Sequence, residues 1–222
     1  MGKMRRRQES TLHGGVGIVS PRLRNGLGTP AAPALRPLAW LLAALPLLAP
    51  AGALLAEEAP GYRLEIRKSE RELLVRQRGR IVKRYPIATG SGGRGDKNMR
   101  GDKKTPTGIY RVVAFREQGK FGPFIQLNYP NLGDAWRGYL NERLDAQSFQ
   151  NLAKAHQEAR IPPQNTPLGG QIGLHGLGAP SADKSFIHRN FDWTKGCIAL
   201  TNSQLRELRQ YLEIGTRVAI WE

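Results

Sequence analysis

Short runs rich in apolar residues, separated by polar turns, recur along the chain after residue 61, and they restrict its fold more than any other feature. Alternation with a period of two is typical of strands that bury one face. Tyr62 to Arg67 is such a run, and Glu72 to Gln77 and Arg80 to Ala88 follow it across short polar turns. The three segments predict a β-meander at the start of the domain.

The remainder of the chain predicts further strands and two helices. Strands are expected at Ile109 to Phe115, Phe124 to Tyr129, Gln171 to His175, Gly196 to Thr201 and Thr216 to Trp221. Asp145 is a suitable N-cap for a helix that runs to Arg160, and Asn202 for a helix that runs to Leu212. Tyr129 to Asn131 reads as a turn, and Ser181 to Asn190 as a polar loop. We therefore expect one mainly β domain with a few helices.

An uncharged stretch rich in Leu and Ala, residues 38–56, follows a basic segment, residues 1–37, that we expect to be disordered. Small residues, Ala51 and Ala53 among them, lie near the end of the apolar stretch. A basic region, an apolar core and small residues in this order predict a cleaved export signal, with an uncleaved membrane anchor as the alternative. Residues 57–61 would then be a linker, and residues 62–222 the folded domain.

The chain is strongly basic, with a formal net charge of +16. Within the predicted domain the basic residues concentrate in Arg63 to Arg84, Arg94 to Lys104 and Arg206 to Arg217. Such a surface either attracts an anionic polymer (nucleic acid, a membrane surface or a cell-wall glycan) or is a solvated surface without a dedicated partner. Because the chain is expected to be exported, we do not expect nucleic acid as its partner.

Cys197 is the single cysteine of the chain. A lone thiol cannot close an intramolecular disulfide, so it is a buried structural residue, a metal ligand or a nucleophile. A nucleophilic thiol needs a base, because the thiolate is the attacking species and a free thiol has a pKa of about 8.5. His175, at the end of a predicted strand, is the candidate base. The amides of Gly196 and Cys197 are candidate donors to a developing oxyanion.

Two other readings of the motifs are weaker. His175, His188 and Cys197 are the candidate metal ligands, but their spacing matches no zinc signature and a structural zinc site needs four ligands. His188 lies in the predicted polar loop, where it is either solvated or lines a cleft. Gly90 to Gly95 matches G-x-G-x-x-G, yet no helical pattern follows it, so nucleotide binding is not expected. We expect neither a metal nor another cofactor.

Several motifs together resemble the L,D-transpeptidase catalytic (YkuD) domain of bacterial cell-wall enzymes, over residues 62–221. They are Gly101-Asp102-Lys103-Lys104-Thr105-Pro106-Thr107-Gly108-Ile109-Tyr110, Leu174-His175-Gly176, Thr194-Lys195-Gly196-Cys197-Ile198 and Asn202. The resemblance implies a β-sandwich-like fold, with Cys197 as the nucleophile and His175 as the general base. It also implies that the Gly176 carbonyl orients the imidazole and that the Gly196 amide binds the oxyanion.

The resemblance further implies an acyl transfer on peptidoglycan stem peptides. Cys197 would attack the carbonyl of the third stem residue and form a thioester, which an amine of a neighbouring stem or a lysine of an outer-membrane lipoprotein would then attack. Attack by water would instead make the enzyme an L,D-carboxypeptidase, or an amidase that releases wall-anchored lipoprotein. A catalytically silent peptidoglycan-binding domain is the alternative from another class. The expected location is the periplasm, or the inner membrane with the domain facing the periplasm.

Two positions depart from the family pattern. Lys195 stands where many members have histidine, and we expect its charge to favour the thiolate. Ala199 stands where many members have an arginine that holds the site or the substrate carboxylate, so transfer and hydrolysis both stay open. Arg189 and Arg137 are the candidates to replace that arginine. The candidate substrate-binding residues are Thr194, Lys195, His188, Arg189 and Asn202.

Overall fold

The computed structural model describes residues 61–179 and 181–222. The predicted basic segment, export signal and linker lie outside these residues, except for Gly61. None of the helices in the described part is both long and apolar enough to cross a lipid bilayer.

One curved sheet forms the framework of the described residues. Its eight strands are β1 (Tyr62–Arg67), β2 (Glu72–Gln77), β3 (Arg80–Pro86), β4 (Gly108–Arg116), β5 (Phe124–Leu127), β6 (Gly173–His175), β7 (Ile198–Ala199) and β8 (Arg217–Trp221). Their spatial order is β3-β2-β1-β8-β4-β5-β6-β7. The predicted meander β1-β2-β3 is antiparallel. The pairs β1–β8 and β6–β7 are parallel.

The two edge strands of the sheet, β3 and β7, come together through the chain that follows β3. Ala88, just after β3, exchanges two backbone hydrogen bonds with Ala199 of β7, at 3.1 and 2.8 Å. A second bridge joins Gly90 to Thr194. The sheet therefore curves around a single core, to which Leu64 of β1 and Ile198 of β7 both contribute. The point of closure lies beside the segment that leads to Cys197.

Four helices accompany the sheet in the described residues: α1 (Leu132–Leu140), α2 (Ala146–Gln157), α3 (Ala182–Asn190) and α4 (Asn202–Arg209). The mainly β fold with a few helices is thus confirmed, and Asp145 caps α2 as predicted. The loop predicted for Ser181 to Asn190 is wrong, because Ser181 caps α3 there. Helix α1 begins directly after the predicted turn and was not predicted from the sequence.

The N-cap predicted for α4 is also wrong by one residue. Thr201 caps this helix: its hydroxyl accepts from the Gln204 amide, and the Gln204 side chain accepts from the Thr201 amide. This reciprocal pair satisfies two backbone donors at the start of the helix. The side chain of Asn202 is consequently available for contacts outside α4.

Candidate active site

His175 lies at the carboxyl end of β6 and is only 5% exposed. Its Nδ1 lies 2.7 Å from the Gly176 carbonyl oxygen. Because a carbonyl only accepts hydrogen bonds, Nδ1 carries the proton, and Nε2 keeps the free lone pair. The ring stacks on Phe121 with centroids 4.8 Å apart, and Trp193 meets it edge-on at 5.7 Å. The imidazole therefore has one fixed orientation and one nitrogen able to accept a proton.

Cys197 directly precedes β7, whose parallel pairing with β6 brings the thiol and the imidazole to the same place. Both residues line one cavity of about 530 Å³. The thiol donates a long hydrogen bond of 3.4 Å to the Gln171 carbonyl oxygen. The chain thus combines its single thiol with a buried imidazole in one cavity.

The protonation states of the two groups suit a base and its nucleophile. Burial raises the pKa of the Cys197 thiol to about 11, although a hydrogen bond from the Gly173 backbone and the charge of Lys97 oppose the rise. With this pKa almost all of the thiol is protonated at pH 7. Burial also lowers the pKa of His175. At neutral pH the imidazole is therefore neutral and can accept the proton that the thiol retains.

Lys97 is the buried lysine whose positive charge partly offsets the rise in the pKa of the Cys197 thiol. It was not among the residues predicted for the site. Its Nζ binds Asp102 Oδ1 at 2.6 Å and the Met99 carbonyl oxygen at 2.9 Å. Lys195, which was expected to favour the thiolate, is exposed and lines the cavity.

Thr194 fixes the turn that presents the thiol. Its Oγ1 donates to the Cys197 carbonyl oxygen at 2.6 Å and accepts from the Gly196 amide at 3.1 Å. In this structure the buried Gly196 N–H, which was predicted to bind an oxyanion, donates to Thr194 instead. Gly196 itself has a φ of +127°, and a Cβ there would lie 2.8 Å from the Lys104 carbonyl oxygen. Only glycine fits this position without strain.

Asn202 joins α4 to the loop that follows His175. Its Oδ1 accepts from the Leu177 amide at 2.8 Å, and its Nδ2 donates to the Gly178 carbonyl oxygen at 2.7 Å. A Cβ on Gly176 would lie 2.3 Å from Asn202 Oδ1, so loop and side chain are closely packed. Asn202 is not among the residues that line the cavity. Its contacts therefore hold the peptide whose carbonyl orients His175.

We expect Asn202→Ala to lower the free energy of unfolding by about 1–3 kcal/mol, because the Leu177 amide and the Gly178 carbonyl both lose their partner. Denaturant unfolding measures this loss. Asn151→Ala is the matched control: it lies on the exposed side of α2, where its side chain accepts one hydrogen bond from Gln147. Its effect should stay within about 0.5 kcal/mol. Equal losses in the two variants would contradict the positioning role of Asn202.

His188 lies in α3 and is buried, so it does not belong to a polar loop. Within the described chain its Nδ1 has no hydrogen-bond partner. Burial and the charge of Arg71 lower its pKa. The Arg71 guanidinium also donates to the carbonyl oxygens of His188, Arg189 and Phe191, which fixes the end of α3 just before Trp193. His188 does not line the cavity and acts as a packing residue of α3.

The arginines expected to replace the missing family arginine lie elsewhere. Arg189 is exposed in the last turn of α3. Arg137 of α1 binds Asp96 and Asp134, each at 2.6 Å. Neither arginine lines the cavity that contains Cys197. Ala199 is fully buried against Ala88.

Much of the cavity wall was not predicted from the sequence. The aromatic part consists of Phe121, Phe124 and Trp193, and Arg116 and Lys120 add positive charge. One feature of the sequence could have indicated this wall: Phe121 stands between Gly119 and Gly122 in the segment that links two predicted strands. An exposed loop gains little from an aromatic side chain unless that side chain covers a site. In residues 61–179 and 181–222, no group of three or more His, Cys, Asp or Glu side chains is arranged to hold a metal ion.

Comparison with known proteins points to one family. The model of the L,D-transpeptidase catalytic domain matches residues 61–220. The L,D-transpeptidase YkuD of Bacillus licheniformis is 28% identical over 159 residues, which are 72% of this chain and 65% of that protein. The chain therefore spans slightly less than two thirds of this relative.

Solved structures with a similar fold include two bacterial proteins. The helical cell shape determining protein Pgp2 of Campylobacter jejuni is 24% identical with a TM-score of 0.47, over 73% of this chain and 48% of that one. The L,D-transpeptidase of Xylanimonas cellulosilytica is 18% identical with a TM-score of 0.41, over 73% of this chain and 61% of that one.

Proposed function

Because the chain belongs to the L,D-transpeptidase catalytic domain family, we propose that it is a murein L,D-transpeptidase with Cys197 as its nucleophile. The observation that carries this proposal is the single cavity that contains both the lone thiol and an imidazole with a free Nε2. A nucleophile, a base and a third group that orients the base are the elements of covalent acyl transfer. Here the orienting group is the Gly176 carbonyl.

In the first step, His175 Nε2 accepts the thiol proton while the sulfur attacks the carbonyl carbon of the third stem residue. The tetrahedral intermediate carries an oxyanion, for which the Cys197 amide is the candidate donor. When the intermediate collapses, the amide bond to the terminal D-residue breaks. The leaving amine takes the proton from the imidazolium, and a thioester to Cys197 remains.

In the second step, an amine attacks the thioester and His175 removes its proton. The sulfur leaves, and the imidazolium returns a proton to it, so that the resting thiol is restored. The amine would come from a neighbouring stem or from a lysine of an outer-membrane lipoprotein. Such a substrate lies outside the cytoplasm, which agrees with the export signal predicted at residues 38–56.

Hydrolysis is the second candidate reaction, and the observation that favours it is Ala199. This buried methyl group stands where many family members have an arginine, and it cannot bind the carboxylate of an acceptor. With water as the acceptor, the same thioester would give an L,D-carboxypeptidase. If the acyl group is attached to a lipoprotein, the enzyme would release that lipoprotein.

Incubation of the purified protein with tetrapeptide-containing muropeptides, followed by separation and mass analysis of the products, tests the proposal. We expect dimers joined between the third residues of two stems, with release of the terminal D-residue. Tripeptides alone would identify a carboxypeptidase. In a parallel incubation with isolated cell walls that carry bound lipoprotein, release of the lipoprotein would identify an amidase. Unchanged muropeptides with folded protein would contradict both reactions and favour a peptidoglycan-binding domain.

A further inference from the structure

A second cleft of about 610 Å³ adjoins the cavity that holds Cys197. The two linings share Gln171 and Lys195. The Cys197 thiol donates its hydrogen bond to the Gln171 carbonyl oxygen, so the sulfur lies near the junction of the two spaces. We call the second space the basic cleft and define it by Lys97, Arg100, Lys103, Gln164, Gln171 and Lys195.

The basic cleft presents positive charge that the protein does not neutralise. No Asp or Glu of the described chain lines it. The charge of Lys97 is balanced by Asp102. Lys103 and Lys195, in contrast, are exposed and have no ion-pair partner among the residues that the structure describes. Two unpaired ammonium groups and neighbouring amide side chains form a surface that attracts a carboxylate.

The wall of the basic cleft is held in place by a network of hydrogen bonds. The Asp102 carboxylate accepts from the backbone amides of Asn98, Met99 and Lys104 as well as from Lys97 Nζ. A ligand that binds to such a preorganised loop does not have to order it first.

A second set of contacts ties this loop to the opposite wall. Arg100 donates from its amide to the Pro167 carbonyl oxygen at 2.7 Å, and its guanidinium donates to the Thr166 carbonyl oxygen and to Asn165 Oδ1. The width of the cleft is therefore fixed on both sides.

The two spaces differ in chemistry. Three aromatic side chains dominate the wall of the cavity that contains His175, whereas the basic cleft contains none. Positive charge lines both spaces, with Arg116 and Lys120 in the cavity, Lys103 in the cleft and Lys195 in both linings. In the cleft, which has no aromatic wall, Lys103 and Lys195 are the exposed lysines open to a substrate carboxylate.

We propose that the basic cleft is the carboxylate-binding subsite of this enzyme, in which Lys103 and Lys195 bind a free carboxylate of the stem peptide. The proposal rests on the function proposed above and adds a specificity to it. Stems that carry the free carboxylate bind well, and stems in which the same carboxylate is amidated bind weakly. Charge neutralisation of an anionic group in a cleft is the basis of the preference.

The test uses the Cys197→Ala protein, which binds without turnover, and a panel of stem tetrapeptides in which each carboxylate is amidated in turn. Titration calorimetry at low salt gives each Kd. We expect one amidation to weaken binding about tenfold, and added salt to reduce this preference because it screens exposed charges. With Lys103→Gln and Lys195→Gln added, the preference should disappear, because the stem with the free carboxylate then binds as weakly as the amidated stem.

The matched control adds Lys154→Gln and Arg160→Gln instead, which remove two exposed charges from α2 and from the segment just after it. This protein should keep the full preference, and its melting temperature shows that folding is intact. Three results would overturn the subsite: equal binding of all amidated stems, a preference that survives loss of both cleft lysines, and an equal effect of the control variant on the preference. Failure of the proposed function is recognised separately, because the unaltered protein would then form no adduct with a carbapenem.

Discussion

We expect the Cys197→Ala protein to gain no mass on incubation with a carbapenem, whereas the unaltered protein gains the mass of one inhibitor molecule. A carbapenem offers a strained carbonyl as acyl donor, and this chain has one thiol to accept the acyl group. The loss should be complete, because no second cysteine can substitute. Mass spectrometry of the intact protein measures it, and peptide mapping locates the adduct.

The alanine variant should remain folded, since the hydrogen bond from the thiol to the Gln171 carbonyl oxygen is long, at 3.4 Å, and its loss costs little. A melting temperature close to that of the unaltered protein is therefore the control. An adduct on the folded Cys197→Ala protein would rule out this residue as the nucleophile. If the unaltered protein forms no adduct, the alternative of a peptidoglycan-binding domain gains support.

Replacement of His175 by glutamine should lower the rate of acylation by about 10²–10⁴-fold, the usual contribution of a positioned general base. The thiol needs this base because its pKa of about 11 leaves it almost entirely protonated at neutral pH. Mass spectra of samples quenched at successive times give the rate of adduct formation. His156→Gln is the matched control: His156 lies on α2, where its ring contacts the Pro130 carbonyl oxygen away from the cavity.

The pH dependence of acylation supplies an independent readout of the same base. Burial lowers the pKa of His175 from the value of about 6.5 that a free histidine has. The imidazole of His175 therefore stays mostly neutral at the pH at which a free histidine is half protonated. In the unaltered protein the rate should therefore fall on acidification only below pH 6.5. In His175→Gln this acidic limb should vanish, and the rate should instead rise continuously toward pH 11 as the thiol ionises. Identical profiles in both proteins would exclude His175 as the base.

Strand β1 was predicted well because its alternation directly reflects burial. In β1, Leu64 and Ile66 are buried while their neighbours are partly exposed, and the period of two appears in the sequence without further information. The short strands β6 and β7 contain three and two residues. No periodicity exists at that length, and their parallel pairing depends on distant parts of the chain.

The two missed helices have different physical causes. In α3 only His188 is buried, so the helix has no apolar stripe for a pattern to reveal. In α1, Gly133 and Gly138 lower the helix propensity, although a Cβ on Gly138 would lie 2.9 Å from Leu168, which explains the second glycine. A usable signal was present: Asn131 and Asp134 form a capping box.

At the site, the motifs located Cys197 and His175, which the structure brings into one cavity. The use of the Gly196 amide by Thr194 could not be predicted, because it depends on the conformation of a four-residue turn. The contact of Asn202 with the loop after His175 depends on the packing of α4 against that loop. Sequence thus indicates which groups carry the chemistry, while tertiary packing decides which backbone donors remain free for it.

The closure of the sheet at Ala88 and Ala199 has a consequence for selectivity. Main chain flanks β7 on both sides, with β6 on one and Ala88 on the other. An extended polypeptide therefore finds no open edge beside the sulfur on which to add itself as a further strand. A peptide can therefore reach the thiol only through the two spaces beside it, where its side groups, and not pairing with the sheet, decide how long it stays.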